Sequence, residues 1–112
     1  MTRIYIGFID DNDVRHVQVV ENHEDARELD PRLDLYNHSP SGFAWGYGGS
    51  GPAQCALAVL ADFFKDDEAA LRLHQRFKRA CIARLDRVGG WTLTREDILD
   101  ALLDEEPGGD AP

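Results

Sequence analysis

A chain of 112 residues, 43% of them hydrophobic, is one domain's worth of sequence with enough apolar material for a single core. Its net charge of −9 argues against direct nucleic-acid binding, because a phosphate backbone selects basic surfaces. The start MTRIYIGFIDDND has no apolar run of signal-peptide length, and the charge-free stretch 35–61 is too rich in glycine, proline, Asn37, His38 and Gln54 to span a bilayer, so a cytoplasmic protein with no membrane role is expected.

In chain order, RIYIGFI places Ile4, Ile6 and Phe8 on one face at a strand's period of two. Asp10-Asp11-Asn12-Asp13 is turn chemistry without the spacing, glycine and terminal glutamate of a calcium loop, and VRHVQVV completes a β-hairpin. Residues 21–34 are polar and allow either a helical turn around Glu24–Leu29 or an edge strand near Arg32–Leu35. Residues 37–42 read as a loop, and Phe43–Tyr47 as briefly extended. Pro52 suits the first turn of a helix capped by Ser50 or Gly51, with Gln54 in the reciprocal capping position. That helix, AQCALAVLADFF, is apolar on nearly every side and is expected at the centre of the domain.

A second helix is expected from Asp66 or Asp67 to about Val88, its stripe of Ala70, Leu73, Phe77, Cys81, Leu85 and Val88 packing on the first. Gly89-Gly90 ends it, Trp91–Leu93 is short and extended, and Thr94 with Asp97 marks a third helix start. The result is an α+β domain over residues 1–105, an N-terminal hairpin on a bundle of about three helices, with 106–112 as a disordered acidic tail. Cys55 and Cys81 fall in apolar helical patterns, which favours two buried reduced thiols over an inter-helix disulfide.

Charge is unevenly spread. Residues 1–34 carry nine acids against four bases and 91–112 seven against one, while 62–90 carry five acids against seven bases. Acidic ends folded over a basic helix explain this simply; an acidic surface that docks on a basic protein or mimics nucleic acid is the alternative. Arg72, Arg76 and Arg79 share one face of the second helix, as a solvated face or an anion-binding patch, and His74 is expected on its exposed flank.

The stretch GFAWGYGGSGPAQ at 42–54 carries five glycines and three aromatics. It matches G-x-G-x-x-G, yet a second helix follows where a dinucleotide site needs a strand, and it lacks the lysine of a phosphate loop. Two readings remain. Backbone N–H groups of Gly48, Gly49, Ser50 and Gly51 at the positive end of a helix, flanked by Trp45 and Tyr47, suit a small anion. Otherwise the glycines let the chain turn and pack while the aromatics cap the core. Asp34, His38, Ser39, Ser41 and Ser50 can be drawn as an acid–histidine–serine relay, though Asn-His-Ser-Pro more often ties a turn together. The four histidines show no zinc spacing, so neither metal nor cofactor is expected.

LDPRLDLYNHSPSGFAWGYGGSGPAQCALAVLAD resembles the signature of a family of small proteins of unknown function in bacteria, phages and plasmids, R-x-D-L-x-N-H-S-P-T-G-F-E-W-G-Y-G-G-S-G-P-A-Q-L-A-L-A. Tyr5-Ile6-Gly7, Phe77-Lys78, Trp91-Thr92-Leu93 and Asp97-Ile98 extend the likeness over residues 4–100. Ala44 stands where the family has glutamate, and Cys55 where it has leucine, which weakens any enzyme reading of the loop. The resemblance implies a compact intracellular protein often carried on mobile elements, and no known reaction. The expectation is a non-enzymatic module that binds a protein partner through Asn37, His38, Trp45, Tyr47, Gly48, Gly49, Ser50 and Gly51, flanked by acidic surface. The alternatives are a nucleotide or phosphometabolite, bound or hydrolysed at the helix start, and inhibition of a nucleic-acid-binding enzyme by acidic mimicry.

Overall fold

The computed structural model describes residues 2–103, so the expected boundary near 105 and the tail 106–112 lie outside the described residues. It is an α+β fold. Strands β1 (Arg3–Ile9), β2 (Arg15–Glu21) and β3 (Arg27–Glu28) precede helices α1 (Ser50–Phe64) and α2 (Asp67–Ala80). A 3-10 turn at Ile82–Arg84, strand β4 (Trp91–Leu93) and helix α3 (Arg95–Leu103) follow. The antiparallel sheet has the order β3-β2-β1-β4, so the last strand returns to the open side of the first.

The hairpin turn is built as its aspartates suggest. Asp10 Oδ1 accepts the Asn12 and Val14 N–H groups, and Asp13 takes the left-handed backbone at φ +67°. In 21–34 neither expected arrangement forms: the edge strand is at Arg27–Glu28, inside the stretch expected as a helical turn, and Arg32–Leu35 is not a strand.

Ile4, Ile6 and Phe8 do share a face, but it is the half-exposed one. The inner face takes Tyr5 and Gly7, and packs with Val17, Val19, Trp91 and Leu93 against α1. Helix α1 is central as expected, with every residue from Gly51 to Ala61 buried. Its N-cap is Gly49, one residue before Ser50 and two before Gly51, the expected caps, with no side-chain bond at that position.

Helix α2 ends eight residues short of Val88. Cys81 leaves helical geometry at φ −134°, ψ −65°, and the chain tightens so that Ile82 enters the core. Val88 is therefore exposed, not part of a packing stripe. The caps of the other helices follow the sequence. Asp66 accepts the Ala69 N–H, and Thr94 with Asp97 forms a reciprocal box.

Candidate functional site

Between β3 and α1 lie 21 residues, 29–49, with neither strand nor helix. So long an irregular connection is uncommon in a compact domain unless it carries function. What holds it is Gln54, a fully buried side chain on α1. Its Oε1 accepts the N–H groups of His38 at 2.7 Å and Ser39 at 3.1 Å. Its Nε2 donates to the carbonyls of Pro31 at 2.6 Å and Tyr36 at 3.1 Å. All four hydrogen-bonding positions of the amide are thus used on the loop. Gln54 is not the reciprocal helix cap its position suggests; in the fold it is the anchor of Pro31–Ser39.

His38 has a second hold. Its Nε2 lies 2.9 Å from His74 Nε2, and the exposed Tyr36 ring stacks on it at 4.2 Å between centroids. His74, expected on an exposed flank, is buried on α2 with Nδ1 2.8 Å from the Leu71 carbonyl. A carbonyl only accepts, so His74 carries its proton on Nδ1 and receives one from His38 Nε2. Burial, then His74, then Lys78 hold His38 below the ordinary histidine range.

The glycine-rich segment divides in two. Trp45 is fully buried, edge-on to Trp91 with ring centroids 5.2 Å apart and covered by the Arg15 guanidinium at 5.5 Å. A buried ring offers no face to a ligand, so Trp45 caps the core. Gly46 has φ +85° and donates its N–H to Ile82, and a Cβ there would meet the Arg87 backbone at 2.6 Å. Tyr47 is 39% exposed, lies over Gly49 and carries Arg87 on its ring at 4.7 Å. Asn37, Gly48 and Ser50 are exposed with it.

At the start of α1 the Ser50 and Gly51 N–H groups precede any intrahelical acceptor, and Pro52 has none to give. No acidic residue lies in that turn. A cleft of about 360 Å³ lies at the other end of the helix, lined by Arg27, Arg32, Ala61, Asp62, Lys65 and Asp67 among others and by none of Gly48–Gly51. Its charges pair with one another: Arg27 with Asp62 at 2.8 Å, Arg32 with Asp67 at 3.0 Å.

The drawn relay does not assemble, since Asp34 is held by Arg32 at 3.0 Å while His38 faces His74. Arg76 of the basic face reaches the Leu102 carbonyl near the end of α3. Both cysteines are free thiols. Burial pushes Cys55 well up and Cys81 to about 11, so neither is a thiolate at neutral pH. Among the described residues no three His, Cys, Asp or Glu side chains gather as a metal site, and no helix is long and apolar enough to cross a membrane.

Sequence reasoning missed Gln54 and His74. A polar residue in an apolar helix is the available signal for the first; for the second there is none, because its partner lies 36 positions away. Residues 10–104 match the model described as a family of unknown function, DUF6166. Neither a curated protein nor a solved structure matches the chain.

Proposed function

We propose that this chain, which belongs to the family of unknown function DUF6166, is a non-enzymatic binding module whose contact surface is the loop before α1. The observation that carries the reading is a long irregular segment held rigidly by Gln54 while Tyr36, Asn37, Tyr47, Gly48 and Ser50 face solvent. Exposed tyrosines on a pre-ordered loop supply large contact area at little entropic cost, which is what a protein-binding surface needs. Trp45 serves this surface from below, as the core anchor of the glycine segment. The acidic ends favour a basic partner, and carriage on mobile elements would make a host component a reasonable one.

A double variant Tyr36→Ala, Tyr47→Ala is expected to lose capture of the partner from lysate with little change in melting temperature. Trp45→Ala is expected to lose about 3–5 kcal/mol of stability, as large aromatic-to-alanine changes in cores do. Capture retained by the double variant rejects the loop as the surface. The second reading, a small anion at the start of α1, is favoured by the uncapped first turn of that helix. It predicts a rise in melting temperature that scales with the concentration of inorganic phosphate or a nucleotide.

A further inference from the structure

We propose that His38 and His74 form an acid-sensitive latch, which holds the Tyr36–Ser39 segment on α2 while the rings share one proton and lets it go when they gain more. Its consequence for partner binding rests on the contact surface proposed above; the latch itself is a property of the free protein.

The tautomers are set by the neighbours. His74 Nδ1–H is committed to the Leu71 carbonyl, so its Nε2 is a bare lone pair pointing at His38, 2.9 Å away. The docked pair therefore needs exactly one hydrogen between the two Nε2 atoms, and it belongs to His38. A further proton has two places to go. On His38 Nδ1 it creates an imidazolium in a half-buried position under the charge of Lys78 on α2, and among the described residues no carboxylate is bonded to either ring. On His74 Nε2 it removes the only acceptor and sets two N–H groups against each other at the same spacing.

The groups around the pair offer no relief. From the loop comes the Tyr36 ring, from α2 Lys78, and from α1 the uncharged Gln54, which holds the His38 backbone. Two imidazole nitrogens this close could suit a divalent ion, but Lys78 opposes a cation and no third ligand joins them among the described residues. The proton is the cation this geometry discriminates.

A released His38 takes up its proton near the ordinary value of 6.5, while the docked one resists it. The docked state thus binds fewer protons, so docking is complete above about pH 6.5 and weakens as the pH falls. His16 works in the opposite sense. Its bond to Asp10, and then Glu28, raises it, so its contribution is full at low pH and lost as pH rises.

The test is amide hydrogen exchange by NMR at the His38 and Ser39 N–H groups, both bonded to Gln54 Oε1, from pH 8 to pH 5 with intrinsic rates corrected. Their protection is expected to fall as the pH drops below about 6.5, by at most tenfold per unit, the limiting slope for one linked proton. The amides of Val17 and Val19 are expected to keep theirs. In His38→Gln the side-chain amide can still donate to His74 without titrating, and loop protection is expected to stay level. Flat protection in the wild type, a parallel loss at the strand amides, or the same fall in His38→Gln overturns the latch. So does a ¹⁵N spectrum at pH 8 with the His74 proton on Nε2. A flat profile leaves the contact surface standing, and failed partner capture leaves the exchange result standing.

Discussion

Gly7 occupies the inner face of β1 opposite Trp91, and a Cβ there would fall 2.1 Å from the indole Cε2. The missing side chain is the space into which Trp91 folds, and Trp91 in turn supports Trp45 and the glycine segment. Gly7→Ala must push the indole out against Trp45, so it is expected to cost about 1–3 kcal/mol by the measure of overpacked cores. Urea unfolding followed by tryptophan fluorescence reads both the loss and the displaced ring. A neutral outcome would mean that Trp91 has room to move. The indole N–H groups of Trp45 and Trp91 are buried without acceptors, so this corner is packed by shape more than by hydrogen bonds.

Helix α1 acts as an element with two jobs. Its apolar sides fill the core, and its one fully buried amide, Gln54, ties down the loop ahead of it. Gln54→Leu keeps the bulk but strands the N–H groups of His38 and Ser39 and the carbonyls of Pro31 and Tyr36. At about 1–3 kcal/mol for each buried group left unpaired, the docked loop cannot survive the change, though water can relieve it by opening. The expected result is a folded core with a lower melting temperature and rapid exchange throughout 31–39. An unchanged exchange pattern would show that the loop holds itself.

Across the whole molecule, sheet and helix are joined by one charge network. Arg3 and Arg27 both bond Glu21 at 2.7 Å, Arg27 continues to Asp62 at the end of α1, and Tyr5 donates to Asp62 at 2.6 Å. The bonds from Arg27 and Arg3 pull the Glu21 carboxyl down to about 2 from its ordinary 4.5. The folded value is depressed, so this stabilisation is present above about pH 4.5 and is lost as the pH falls toward 2. Glu21→Gln is expected to lower stability at pH 7 and to flatten the acid limb of the stability–pH curve. An acid limb identical to the wild type would assign acid unfolding to other carboxylates.

The local rules carried far on their own. Hairpin, central helix, the caps of α2 and α3 and the short strand at Trp91 were all legible, because turn chemistry, capping pairs and apolar periodicity act between residues a few positions apart. The α+β class followed from them. Tertiary structure decided what depends on distant partners: which face of β1 is buried, where Gly7 and Trp91 meet; where α2 stops, since Ile82 is drawn into the core; and that Trp45 lies inside. It also decided the site. Gln54 and the loop are up to 23 residues apart and His38 and His74 are 36 apart, separations over which no sequence period operates. A buried polar group is placed by the partners that compensate its desolvation, and only the folded chain brings those partners together.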